Sequence, residues 1–340
     1  MMKKIFLYTI LTLIIIIGGA IGISYYFLHQ FSKQQMQVTD DNQIFVLKKG
    51  TTLHQLVAEI KQNNLMQQAY LLPYLYKLDP SLSSIKAGTY QLHAHMTVEE
   101  FLQLLVSGKE SNFSIQFVEG KRAKDWLNVL KTTPYIQQTL DGKSNEEIAK
   151  LLGIDGSIEG WLSPNTYLYT ADSTDVSILK RAYLTMKNNL QKVWDNRDKD
   201  LPYRSPYEML IIASIIEKET GISSERANVA SVFVNRLKAK MKLQTDPTII
   251  YGLGDNYTGA IRRSDLTDTN NPYNTYVIEG LPPTPIAMPS LASLEAAAHP
   301  AKTNYLFFVA TGNGGHTFSN SYGSHQQAVN EYRKLTRDVN

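Results

Sequence analysis

The residue whose type and setting best suit acid–base chemistry is Glu217. It closes an apolar run, Ser205-Pro-Tyr-Glu-Met-Leu-Ile-Ile-Ala-Ser-Ile-Ile-Glu217-Lys-Glu-Thr-Gly221, in which seven of the eight residues from Met209 to Ile216 are apolar. A helix of that composition is buried on most of its circumference. At helical spacing Glu217 falls on a stripe with Leu210, Ala213 and Ser214. Burial and the negative end of the helix dipole would then both favour the protonated carboxyl, the form that a general acid needs near neutral pH. The alternative is a carboxylate that ends a core helix and points into solvent beside Lys218. Glu219 lies about 200° further round the helix and is expected to face away.

The elements around Glu217 follow from local signals. Ser205 with Glu208 makes a capping box, Pro206 fits the first helical position and Gly221 supplies a stop. A second helix is expected from about Ser223 or Ser224, with Ala230, Phe233, Val234 and Leu237 on its core face. The chain then becomes rich in Pro, Asn, Thr and Tyr as far as Pro289, a composition that makes ordered loops with many side-chain hydrogen bonds. Such loops on a helical frame can carry aromatic faces and amides suited to a sugar, or they can be purely structural. Upstream, Ile44–Leu47 reads as a strand, and Leu53, Leu56, Val57 and Ile60 as one face of a helix. Thr97 with Glu100 and Ser144 with Glu147 mark two further helix starts. Glu159-Gly-Trp-Leu-Ser-Pro-Asn-Thr-Tyr167 is a loop carrying large apolar residues, and 176–193 a long helix.

The N-terminus has a different character. Lys3 and Lys4 precede Ile5 to Leu28, which holds no charged residue. At 1.5 Å per residue that run reaches about 36 Å, enough for a hydrocarbon core of about 30 Å. Tyr25, Tyr26 and Phe27 would anchor its far interface, and the two lysines favour a cytoplasmic N-terminus with the bulk of the chain outside. A cleaved signal peptide is the rival, since Gly18-Gly-Ala20 is small. The apolar run nevertheless continues beyond it, and an uncleaved single-pass anchor in the cytoplasmic (inner) membrane is the expectation.

The 340 residues contain no cysteine, which excludes disulfides and thiolate metal sites. The net charge of +3 and the lack of a basic run argue against nucleic acid. The seven histidines show no zinc-helix spacing, and Gly312-Asn-Gly-Gly315 reads as a turn before His316, not a nucleotide loop. No metal and no cofactor are expected.

Several ordered motifs carry a family resemblance: Ala213-Ser-Ile-Ile-Glu-Lys-Glu-Thr220, Val234-Asn-Arg-Leu237, Met241-Lys-Leu-Gln-Thr-Asp-Pro-Thr248, Pro272-Tyr-Asn-Thr-Tyr276, Gly280-Leu-Pro and Gly314-Gly-His-Thr-Phe318. Together they resemble the endolytic murein transglycosylases of the YceG-like family. The likeness takes in the anchor, the region after it and about 155–330. It implies a membrane-anchored enzyme that cuts within new peptidoglycan strands and helps set their length. The catalytic glutamate falls at Glu217, and the matched motifs place Asn235, Gln244, Asp246, Tyr251, Tyr273, Asn274 and His316 near the substrate cleft. Asn165 departs from the family's usual Pro-Asp-Thr-Tyr, which makes a structural turn there more fitting than an essential carboxylate.

The implied fold is α+β: a cytoplasmic terminus 1–4, a transmembrane helix 5–28, a tether 29–42, a small domain 43–110, a connecting segment 111–154 and a catalytic domain 155–340. The 43–110 region resembles a LysM glycan-binding module; a plain α+β spacer is the alternative. The implied partners are peptidoglycan glycan strands, the membrane and peptidoglycan synthases. A competing class of function is a non-catalytic, membrane-tethered glycan binder that recruits synthases.

Overall fold

The computed structural model describes residues 2–171, 173–312 and 314–337. Met1, at the head of the expected cytoplasmic terminus, and Asn313, in the turn before His316, lie outside the described residues. The protein is a mixed helix and sheet structure that divides into two compact units, one of 1–113 with 168–173 and the other of 114–167 with 174–340.

The first unit begins with α1 (Met2–Lys33), a helix long and apolar enough to cross a membrane and exposed along that apolar stretch. Residues 29–42, read as a tether, are ordered against the rest of the unit. Phe31 and Met36 are buried, and Met36 N–H donates to Met96 O at 2.8 Å and Gln37 N–H to Leu65 O at 2.9 Å. Then follow β1 (Ile44–Leu47), α2 (Leu53–Gln62), α3 (Leu72–Leu78), β2 (Gly88–Gln91) and α4 (Val98–Ser107). β1 and β2 pair antiparallel, with Ile44 opposite Gln91 and Leu47 opposite Gly88. Thr52 and Gln55, and Thr97 and Glu100, form reciprocal capping boxes that set the starts of α2 and α4. Phe45, Leu56, Ile60, Tyr90, Phe101 and Leu102 fill the core, each large apolar side chain contributing about 1.5–3 kcal/mol by leaving water.

The remaining elements are β3 (Phe113–Phe117), α5 (Ala123–Thr132), α6 (Asn145–Leu152), β4 (Asn165–Tyr169), α7 (Asp175–Asp195), α8 (Pro206–Glu219), α9 (Arg226–Lys238), α10 (Asp246–Leu253), α11 (Arg263–Thr267), α12 (Leu291–Ala298), β5 (Phe307–Ala310), β6 (His316–Ser319) and α13 (Tyr322–Arg337). From Ser114 on, the segment 111–154, read as a connector, lies in the second unit. Phe117 stacks on Trp126 at 4.4 Å there. α8 is the unit's central post. All residues from Met209 to Ile216 are buried, and α7, α9, α10 and α12 pack against it. β5 and β6 form an antiparallel hairpin, with Ala310 opposite His316.

Two sequence signals at α8 resolve differently from expectation. Ser205 does cap the helix, accepting from Glu208 N–H, but the Glu208 carboxylate turns back one residue further, to Arg204 N–H at 2.6 Å. The stop is Thr220 in an extended conformation, with no left-handed glycine at 221. Asn165 is exposed at the start of β4, where its Oδ1 accepts from Thr166 N–H at 2.8 Å, a local turn contact.

Candidate active site

α8 delivers Glu217 half-buried at its last turn. One oxygen, Oε2, accepts three hydrogen bonds: from Ser290 N–H at 2.9 Å, Ser290 Oγ at 2.5 Å and Ser293 Oγ at 2.7 Å. Ser290 is the N-cap of α12, so the carboxylate sits at the positive end of that helix. This opposes the negative end of α8, the only dipole that the local sequence reveals. Oε1 has no hydrogen bond among the described residues.

The segment leading to Ser290 is fixed from two sides. Ser214, one turn before Glu217, accepts Ile286 N–H at 3.0 Å on its hydroxyl. Met288 exchanges backbone bonds with Gly120 and Lys121, both at 2.9 Å. Gly120 is left-handed (φ +70°), and a Cβ there would lie 3.8 Å from Glu217 Cγ. Lys218 Nζ donates to Gly120 O at 3.2 Å.

Glu219 turns to other partners, as its place on the helix requires. Its Oε1 accepts the Thr245 hydroxyl. Burial pushes its carboxyl up to about 7; Asp246 adds to this, while the Thr245 bond, His316 and Arg236 act against it. Tyr276 donates its hydroxyl to Asp246 Oδ1 at 2.7 Å, and that phenol is itself pushed up by burial and by Asp246. Gln244, in the left-handed region at φ +48°, has its Oε1 3.4 Å from Arg236. His316 faces Glu225, with Nδ1 at 2.7 Å from Oε2 and its N–H at 3.0 Å from Oε1.

A third carboxylate gave no clear sign in the sequence. Glu159 is 4% exposed. Its Oε1 accepts Ala123 N–H at 3.0 Å and its Oε2 the Tyr251 hydroxyl at 3.2 Å. Burial pushes Glu159 up to about 7, against these two bonds and Arg122. The Arg122 guanidinium lies 4.8 Å over the Tyr251 ring, and Tyr273 meets that ring edge-on at 4.8 Å. Tyr273 shares a hydrogen bond with Thr284 at 2.9 Å, and Trp161, which follows Glu159 and Gly160, stacks on Tyr207 at 5.8 Å. The one signal that could have pointed to Glu159 is a lone carboxylate among Ile158, Trp161 and Leu162, followed by a glycine.

The eight expected site residues therefore fall into distinct groups. Glu217 sits with Ser290 and Ser293, which sequence reasoning missed. Asp246 and His316 act on Glu219, Gln244 contacts Arg236, which acts on it too, and Tyr251 and Tyr273 belong with Glu159. The other two brace loops. Asn235 donates to Thr303 O and Tyr305 O, each at 2.9 Å, and fully buried Asn274 donates to Asp265 O at 3.0 Å and Asp268 O at 2.9 Å. Among the described residues, His, Asp and Glu side chains do not gather in the threes that a metal ion would need.

Comparison with known proteins places this arrangement in context. The model of the YceG-like family matches residues 45–331. An endolytic murein transglycosylase of Bacillus subtilis is 31% identical over 338 residues, covering 94% of this chain and 91% of the relative. An endolytic murein transglycosylase of Streptococcus pneumoniae is 25% identical over 322 residues, covering 84% of this chain and 57% of that longer protein. The crystal structure of a YceG-like protein from Listeria monocytogenes matches with a TM-score of 0.52 at 27% identity, covering 84% of this chain and 98% of that one.

Proposed function

Because the chain belongs to the YceG-like family, we propose that it is a membrane-anchored lytic transglycosylase that cleaves peptidoglycan strands internally, with Glu217 as its catalytic acid and base. The observation that carries the assignment is the division of labour within one carboxylate. Oε2 is locked by Ser290 and Ser293, while Oε1 has no protein partner among the described residues.

An ordinary glycosidase needs two carboxylates, but substrate-assisted cleavage needs one. Oε1 of Glu217 protonates the bridging oxygen between MurNAc C1 and GlcNAc O4, and the C1–O4 bond breaks as positive charge develops at C1. The 2-acetamido group of MurNAc stabilises that centre. The ionised Glu217 then takes the proton from the sugar's own 6-hydroxyl as O6 closes on C1. The proton returns to Glu217, no water is consumed, and the product carries a 1,6-anhydro-MurNAc end. The bonds from Ser290 and Ser293 are strongest to the charged carboxylate, so they stabilise it during the interval in which it has given up its proton.

The aromatic group of Tyr251 and Tyr273 suits the apolar faces of sugar rings. Gln244, Asp246 and His316 offer polar contacts further along the strand. In this reading α1 crosses the cytoplasmic membrane with its N-terminus inside, which puts both units on the side where peptidoglycan lies. The first unit serves as a LysM-like glycan-holding module, and peptidoglycan synthases are the natural neighbours.

Digestion of purified sacculi with the protein, followed by mass spectrometry of the ends, tests the reaction. Anhydro-MurNAc ends are expected; reducing MurNAc ends would instead identify a hydrolase. Glu217→Gln is expected to abolish release, and an unchanged rate would remove Glu217 from the mechanism.

A further inference from the structure

Two carboxylates among the described residues are buried almost completely, and they are equipped very differently. Asp175, 1% exposed, is saturated by Thr139 N–H, Leu140 N–H and Val176 N–H together with the Thr139 hydroxyl, the pattern of a loop clamp. Glu159, 4% exposed, receives only Ala123 N–H and the Tyr251 hydroxyl. The nearby Arg122 does not neutralise it by a direct bond; its guanidinium donates to Ile250 O at 3.0 Å and covers the Tyr251 ring. A buried carboxylate costs stability unless it is fully paired. Apolar packing would serve the fold better at this position.

We propose that Glu159 is a positioning residue for Glu217, bracing from both ends the segment that holds the catalytic carboxylate. This rests on the assignment of Glu217 as the acid. One end of the brace is Gly160, at φ +79°, which lies so close to Pro285 that a Cβ would come within 2.4 Å of the proline Cβ. The other end runs from Glu159 through Ala123 N–H to Gly120 and Lys121, whose backbone exchanges bonds with Met288. Pro285 and Met288 flank the stretch that ends in Ser290, the residue that gives Glu217 Oε2 both its N–H and its hydroxyl. Ser214 holds the middle of that stretch through Ile286. The same glutamate also orients Tyr251, the aromatic wall that Arg122 and Tyr273 enclose. Position 159 thus couples the aromatic wall to the carboxylate's hydrogen-bond donors, and a displacement of about 1 Å in such a frame costs rate on the order of 100-fold.

The test compares Glu159→Ala, Glu159→Gln and Tyr251→Phe in the full-length protein. Steady-state release of anhydro ends is normalised to folded enzyme, and amide hydrogen exchange is followed over 120–123. Glu159→Ala is expected to lower kcat at least about tenfold with KM within about twofold, and to speed exchange over 120–123. Glu159→Gln can still accept Ala123 N–H and reach Tyr251, so it should recover most of kcat and of the protection. Tyr251→Phe should lower kcat less, and its effect should be non-additive with that of Glu159→Ala.

A Glu159→Ala enzyme with normal kcat per folded molecule would overturn the proposal, however low its melting temperature. So would a Glu159→Gln enzyme as slow as the alanine variant with its 120–123 amides still protected. If Glu159→Ala does not fold, Tyr251→Phe decides: a normal kcat together with unchanged exchange over 120–123 refutes the coupling. Failure of the underlying assignment shows separately, as activity retained in Glu217→Gln, and leaves the exchange result standing.

Discussion

Glu217 and Glu219 leave the same turn of α8 and enter opposite chemical surroundings. Glu217 meets the N-terminus of α12 and three donors on one oxygen. Glu219 meets one threonine hydroxyl and the neighbouring charge of Asp246, and it holds its proton up to about 7. Helix geometry separates the two side chains, but it does not decide which becomes the working acid. On the proposed assignment that depends on what each side chain meets: a helix start that favours a charged carboxylate, or a buried site that pushes the carboxyl up to about 7. A high proton affinity alone therefore marks Glu219 and Glu159 as well as any catalytic acid, and the geometry of the donors is the better discriminator.

The sharpest way to break this comparison is to neutralise each carboxylate in turn. Glu217→Gln should lower kcat by about 100- to 10,000-fold, the range lost with a general acid. Glu219→Gln should keep kcat within about tenfold. A reversal of the two results, read as anhydro-end release per folded enzyme, would exchange their roles.

A smaller effect is expected from the donors. Ser290→Ala with Ser293→Ala removes two of the three bonds to Oε2 and the N-cap of α12. The pair should cost about tenfold or more in kcat, as when oxyanion donors are removed, and about 1 kcal/mol of stability. Kinetics and thermal melts on the same samples separate the two losses.

The effect furthest from turnover concerns stability against pH. Glu219 and Glu159 each bind a proton more tightly in the folded chain, at about 7, than at the ordinary value of 4.5. The folded state therefore carries the extra proton between those values. Their contribution is full below about pH 4.5 and is lost as pH rises through about 7, by up to about 3 kcal/mol for each group. Glu219→Gln should flatten the fall in melting temperature between pH 5 and 8, and adding Glu159→Gln should flatten it further. A slope unchanged in the double variant would show that neither group is desolvated in solution.

What the sequence made legible was local. The boxes at Thr97 with Glu100 and Ser144 with Glu147 formed as spaced, because a cap and its helix lie within four residues. The burial of α8 followed from its composition. The partners of Glu217 lie more than 70 residues away in sequence, and no periodicity records which loop will return to a helix end. Ser290 and Ser293 read only as the start of one more helix. Glu159 was hidden for the same reason, since its partners Ala123 and Tyr251 lie far from it in sequence on either side. The polar loops were rightly expected to be bound together by side chains, as the Thr245, Thr248 and Thr275 hydroxyl cluster illustrates. Their composition did not say that Asn274 would serve the loop itself.

The unbroken course of α1 into its own folded unit has a mechanical consequence. With Phe31 inside the core and the apolar turns continuous behind it, that unit is rigidly keyed to the helix. Adding a single residue among the preceding turns would swing the whole unit about 100° around the helix axis and raise it about 1.5 Å. Insertions of one to four residues there would act as a rotary dial on the direction in which that unit faces about the helix axis.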